Sequence, residues 1–168
     1  ANGIRVVLKP TDFNQDQILF RGVLSGGGSL VEDEDLVAAQ TAVPVIAASG
    51  LGDFDVTALQ KMLTGKAAVA NVFITEYDAG IAGQASPKDL QTLFELIHLR
   101  FTAPRADPNA FAAVQNQMRL GLANRDSNPA VALNDAFNRL MTQGHPRARP
   151  LTLASLEQMS LEQSLDIE

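Results

Sequence analysis

Apolar positions along this chain fall into three patterns, and each predicts a different kind of element. Two short runs, Ile4-Arg5-Val6-Val7-Leu8 and residues 17–24 (QILFRGVL), carry the branched and large apolar side chains of strands, and Lys9-Pro10 stops the first. An almost unbroken apolar stretch over residues 35–52 (DLVAAQTAVPVIAASGLG) reads as one buried helix. A helix without a polar face must be covered on all sides, so the other elements should pack around it. The acidic run Glu32-Asp33-Glu34-Asp35 suits the positive end of its macrodipole, and Ser49-Gly50 closes it. Pro44 inside it removes a backbone hydrogen bond and predicts a kink or an early break.

Beyond that helix, Asp53 or Asp55 caps a short helix over residues 56–63, with Gly65 at its exit. Residues 67–74 and 80–85 read as two strands around a turn near Tyr77-Asp78-Ala79-Gly80. The third pattern is helical periodicity behind proline-marked starts. Ser86-Pro87-Lys88-Asp89 opens a helix with the stripe Leu90, Leu93, Phe94, Ile97 and Phe101. Asp107-Pro108 opens one with Phe111, Val114, Met118 and Leu122 on one face. Asn128-Pro129 opens one with Leu133, Phe137, Leu140 and Met141, stopped by Gly144-His145-Pro146. From Leu151 the tail is mostly polar, with a short helix expected over residues 153–159. Strands, helices, strands and then three helices make an α+β fold: an antiparallel-rich sheet with helices packed on one face. No internal repeat or linker divides the 168 residues, so residues 1–168 are expected to be a single domain.

Composition narrows the function classes. Hydrophobic residues make up 46% of the chain and charged ones 19%, which suits a folded domain with a real core. The net charge of −6 comes without any basic cluster, which argues against a nucleic-acid partner, since binding to phosphates needs a cationic patch. No cysteine is present, so disulfides and thiolate chemistry are excluded. No apolar run approaches the roughly 20 residues of a membrane helix, and no membrane partner is expected. The chain opens directly on a strand-like segment, as an excised domain would.

The candidate chemistry is thin. Ser25-Gly26-Gly27-Gly28-Ser29 precedes a helix, but no Lys-Ser/Thr follows at phosphate-loop spacing, so a flexible turn is the better reading. His98 and His145 are the two histidines, and neither stands at metal-ligand spacing. His98 borders an apolar stripe, and His145 shapes a turn before a proline. Residues 32–35 lack the alternating ligands and central glycine of a calcium loop. Ser25, Ser29, Ser49, Ser86 and Ser127 sit at turns or helix ends, with no G-x-S-x-G elbow. No nucleophile, base or metal set can be assembled, so an enzyme of some other class has the least support.

Several stretches taken in order do resemble one family. They are Gly3-Ile4-Arg5-Val6-Val7-Leu8-Lys9-Pro10, the strand ending in Gly-Gly-Ser, Ser86-Pro87-Lys88-Asp89-Leu90, and Phe101-Thr102-Ala103-Pro104-Arg105-Ala106-Asp107-Pro108. Asn128-Pro129 follows, and then Gly144-His145-Pro146-Arg147-Ala148-Arg149-Pro150, which is similar to a G-H-P-x-x-R-P turn. Together they span nearly the whole chain and resemble the pitrilysin/insulinase family of zinc metallopeptidases, in particular bacterial zinc proteases of that family.

The resemblance implies tandem copies of one α+β domain, arranged as two halves that close around a chamber. One copy holds zinc through H-x-x-E-H on a helix, with the glutamate as general base, and a later helix supplies a third, glutamate ligand. Register on Gly50 places those five positions at Thr41-Ala42-Val43-Pro44-Val45, so the functional positions are Thr41, Pro44 and Val45. None can serve as the family requires, and no histidine lies between Ala1 and Leu96. The expected third-ligand helix, residues 107–124, has no glutamate, and none occurs between Glu95 and Glu157.

The resemblance is therefore to a non-catalytic copy with no metal or cofactor of its own, zinc being expected in the parent's catalytic domain. Its expected partners are that catalytic domain and a peptide substrate. The expected compartment, from the resemblance alone, is the periplasm. Family copies continue with a further strand and helix after the region resembling residues 151–165. A sheet left incomplete in that way would expose an edge or an apolar face, and self-association is expected from it. The alternative is a free-standing binding or scaffold domain of the same fold.

Overall fold

The computed structural model describes residues 3–167. Three strands, β1 (Ile18–Ser25), β2 (Ala68–Ile74) and β3 (Asp78–Ala85), form an antiparallel sheet in the order β1-β3-β2. The last two are a hairpin turning through Glu76 and Tyr77, closed by the Thr75 N–H donating to the Asp78 carbonyl at 2.7 Å. Between the first two strands lie α1 (Leu36–Ser49) and α2 (Val56–Met62). After the hairpin come α3 (Leu90–Thr102), α4 (Pro108–Ala123), α5 (Pro129–Met141), α6 (Leu153–Leu156) and α7 (Leu161–Asp166). The expected α+β class, with helices on one face of an antiparallel sheet, is what forms.

Small residues on the inner face set how closely the helices approach. Register aligns Phe20, Gly83 and Ala70 across the three strands, and Gly22, Ile81 and Val72 beside them. Onto this floor α3 lowers Leu93, which is fully buried. A Cβ at Gly83 would come within 2.8 Å of Leu93 Cδ1 and 2.6 Å of the Val69 carbonyl, so only glycine admits the helix at this distance. The expected stripe of α3 meets this core through Leu90, Leu93 and Ile97, and Leu96 is added to it. Leu93 and Leu96 point inward; Phe94 packs edge-on against Phe20, with ring centroids 5.9 Å apart, and Phe101 is left 66% exposed.

Helix α1 is the centre of the packing, as its all-apolar surface demands. Ala38, Ala39, Thr41, Ala42, Val45, Ile46 and Ser49 are buried. Leu51 just beyond it joins the core beneath α3, while Val45 joins a second core with Val114 of α4, Leu156 and Met159. The helix runs on through Pro44 to Ser49 without an early break. Gly50 ends it at φ 84°, and a Cβ on Gly50 would meet the Phe54 carbonyl at 2.2 Å. Arg100 Nη1 donates to the Ile46 and Gly50 carbonyls, each at 3.3 Å, covering the negative end of the helix.

Three other expectations are corrected. Ile4-Arg5-Val6-Val7-Leu8 forms no strand: residues 3–11 run outside the three-stranded sheet, and strand propensity without a ladder to join leaves Val6, Val7 and Leu8 exposed. The tail is built into the core despite its polar composition. Leu156, Met159 and Ser164 are buried, and α7 lies along α1 where small side chains let the helices approach. Two side-chain caps, Thr152 on α6 and Ser160 on α7, start these short helices. The third correction concerns α5, whose apolar stripe faces solvent.

Candidate functional site

The positions that would carry metal chemistry lie on α1. Thr41 and Val45, one turn apart, share a face because the helix repeats every 3.6 residues. Both are completely buried. The Thr41 hydroxyl donates to the Val37 carbonyl at 2.8 Å, a bond that satisfies a buried hydroxyl within its own helix. Val45 meets Val114, Leu156 and Met159, and Pro44 is half-buried beside it. Val114 belongs to α4, the helix expected to supply a third ligand, so α1 and α4 do meet face to face. What lies between them is apolar, with Phe111 and Met118 of α4 packed against the same cluster. Gln115, the polar residue next along α4, donates its amide to the Leu156 carbonyl at 2.8 Å and so secures the tail.

The other expected groups do not converge. His98 is exposed on α3, and its residue's carbonyl accepts the Thr102 hydroxyl. His145 is exposed in the loop after α5, where Nδ1 accepts from the Arg147 N–H at 3.3 Å and starts a short 3-10 turn over Pro146–Ala148. That is the turn-shaping role its place before a proline suggests. Among the described residues, no group of three or more His, Asp or Glu side chains is arranged to hold a metal ion.

The glycine-rich stretch is anchored where a flexible turn was expected. Its Gly26, Gly28 and Ser29 N–H groups donate to the Tyr77, Thr75 and Glu76 carbonyls at 2.6, 2.8 and 2.7 Å. A phosphate cradle needs such donors free, and here they hold the hairpin tip. Arg147 secures the same loop from the other side, donating to the Gly28 and Val31 carbonyls and pairing with Asp33 at 3.1 Å. Sequence reasoning missed this arginine because it occupies a variable position of the G-H-P-x-x-R-P turn.

Asp89 is a second polar anchor without a sequence signal beyond its place near a helix start. It is buried, with Oδ2 accepting from the Ala67 N–H at 2.9 Å and from the Ser86 hydroxyl at 2.7 Å, and Lys66 Nζ 3.7 Å from Oδ1. The Ala67 N–H foremost, then the Ser86 hydroxyl, hold its pKa below the ordinary carboxylate value. It ties the start of α3 to the start of β2. Asp107 caps α4, and the Ala110 N–H foremost lowers its pKa too, with Asn109 and Arg105 adding to it. These carboxylates are spent on backbone donors and are not poised for proton transfer. A cleft of about 400 Å³ between α5 and the loop after it is lined by Asp135, Arg139, Thr142, Gly144, Arg149 and Thr152. It contains no nucleophile–base pair.

No family model matches the chain. In sequence it is 26% identical over 119 residues to the probable zinc protease PqqL of Haemophilus influenzae, a match covering 71% of this chain and 12% of that protein. In structure it superposes on the periplasmic protease PqqL from Escherichia coli with a TM-score of 0.79 at 20% identity, over 99% of this chain and 18% of that one. It also superposes on a peptidase M16 inactive domain from Pseudomonas fluorescens with a TM-score of 0.61 at 19% identity, over 84% of this chain and 36% of the other. The chain thus spans a small fraction of the proteases it matches. No described helix is long and apolar enough to cross a membrane.

Proposed function

We propose that this chain, a non-catalytic relative of the pitrilysin-type zinc peptidases, forms part of the wall of a peptidase chamber and contacts the peptide held there, while zinc is bound by a catalytic domain of the same parent. The relationship to zinc proteases rests on the sequence match and on the shared fold. The observation that carries the functional reading is the contact of α1 with α4. Where a metallopeptidase copy needs ligands, this chain has Thr41 bonded to its own helix and Val45 packed on Val114. With neither a ligand set nor a general base in it, the domain contributes surface to a chamber whose closure gates substrate access. The periplasm is the compartment in which we place the parent, by analogy with the Escherichia coli protease.

The test is the polypeptide encoded around this chain. It is expected to contain H-x-x-E-H in another copy of the domain, and deleting the present domain is expected to abolish cleavage of long peptides while zinc stays bound. A parent without that motif would make the chain a free-standing binding or scaffold domain instead, and peptidase activity that survives the deletion would overturn the role in the chamber.

A further inference from the structure

The cleft beside α5 adjoins a second one, each of about 400 Å³, and the two share Asp135, Arg139, Pro150 and Thr152. Arg149 lines the first, while Leu122, Leu151 and Leu153 line the second beside Arg125. Among the described residues, the charged groups lining the pair are three arginines and one aspartate. In the chain as a whole the balance is reversed, with 13 lysines and arginines against 19 aspartates and glutamates. The pairing inside the clefts is one-sided. Asp135 and Arg139, four residues apart on one helix, stand at the spacing of an ordinary helical ion pair. Arg125 takes that carboxylate instead, with Nη2 2.6 Å from Oδ1, and its Nη1 donates to the Leu151 carbonyl at 3.2 Å. The Arg139 guanidinium is left with no hydrogen-bond or ion-pair partner among the described residues. Its place in the last turn of α5 suits the helix dipole, yet it bonds none of the last carbonyls. Arg149 donates Nε to the Gly144 carbonyl at 2.9 Å, and its Nη groups have no partner among the described residues.

We propose that Arg139 and Arg149 bind a carboxylate of a peptide, with a neighbouring apolar side chain of that peptide in the recess of Leu122, Leu151 and Leu153. The proposal rests on the reading of the domain as a surface that meets peptide, and it says what that peptide carries. Two unpaired guanidinium groups on one cleft repel each other and are relieved by an anion between them. Their planar N–H forks match the two oxygens of a carboxylate. The aspartate already present does not supply this, because Arg125 holds it. The apolar recess selects a carboxylate borne by a peptide over free phosphate, which has nothing to place there. An acidic side chain and a chain end offer the same group. Both arginines are exposed, so the contact is weak and falls with salt.

The test is an NMR titration of the 168-residue chain with short peptides blocked at both ends, carrying leucine and one glutamate in a serine–glycine frame. Amide shifts at Arg139, Thr142 and Arg149 are expected to saturate with a Kd on the order of 0.1–1 mM. The glutamine counterpart is expected to bind about tenfold more weakly. Arg139→Gln is expected to weaken the glutamate peptide about fivefold with thermal unfolding unchanged, since its guanidinium holds nothing in the fold. Arg119→Gln, the same charge change on α4 outside both clefts, is expected to bind like the wild type. A glutamine peptide with a free C-terminal carboxylate assigns the source. Binding as tight as the glutamate peptide's means that a chain end serves, weaker binding means an acidic side chain, and either supports the proposal. Four outcomes overturn it: no saturable shift up to about 5 mM peptide, glutamate and glutamine peptides that bind alike, Arg119→Gln as damaging as Arg139→Gln, or inorganic phosphate bound more tightly than the glutamate peptide. Each would leave the role in the chamber standing, because that role is read from the parent's activity after deletion of the domain.

Discussion

Helices α1 and α5 are nearly equal in length and opposite in design. The first has no polar face and is buried by β2, α4 and α7. The second has a well-formed apolar stripe and turns it outward, holding its charged side inward through Arg125 and Asp135. The contrast shows that an apolar pattern states only that a surface is to be covered. Whether this chain or another molecule covers it depends on which polar groups are tied down. Around α1 the polar groups face away or bond within the helix, as Thr41 and Ser49 do to the Val37 and Val45 carbonyls. On α5 the ion pair fixes the inner side, and the stripe is left over.

The contrast can be broken from either end. Placing histidines on α1 with Thr41→His and Val45→His forces two larger polar rings into filled space, and should destabilise the chain by roughly 2–6 kcal/mol in urea unfolding. Added zinc should not restore that loss, because α4 supplies no glutamate. Leu156→Ala empties a fully buried site against α1 and should cost about 2–5 kcal/mol by the same measurement.

Asp89→Asn sharpens the comparison by pH. The folded pKa of Asp89 lies below its unfolded value, so the carboxylate's contribution is complete above about pH 4 and is lost as pH falls through the folded pKa. Thermal melts from pH 6 to pH 3 should show the wild type clearly above the variant at the upper end and the gap closing toward the lower. Leu140→Ala, in the exposed stripe, should shift stability by no more than about 0.5 kcal/mol.

Much of this fold was legible because its elements carry local signals. The proline-marked starts before α4 and α5 and the Asp55 cap of α2 sit where the pattern placed them, and the β2–β3 hairpin forms with its turn at Glu76 and Tyr77, short of the expected residues 77–80. What was not legible depended on distant partners. The segment over residues 4–8 has strand propensity, yet joining a sheet requires a neighbour. The tail reads as polar because Leu156, Met159 and Ser164 are its few fully buried residues, and three positions spread over two short helices and the link between them make no periodic signal. Arg147 and Asp89 act on backbone atoms remote in sequence, at Gly28 and Val31 and at Ala67. At the candidate site, the residues at positions 41, 44 and 45 could be read directly as unable to hold zinc; that Val45 packs in the core with Val114 of α4, and that the Thr41 hydroxyl bonds within its own helix, required the structure.

The most direct test of the central claim, that α1 is a packing helix in a non-catalytic domain, is the zinc content of the purified chain after dialysis against a slight excess of the metal. The account predicts substoichiometric zinc and no peptidase activity. Tightly held zinc at one equivalent would contradict it, and would mean that His98 or His145 joins a site that the packing of α1 against α4 does not contain.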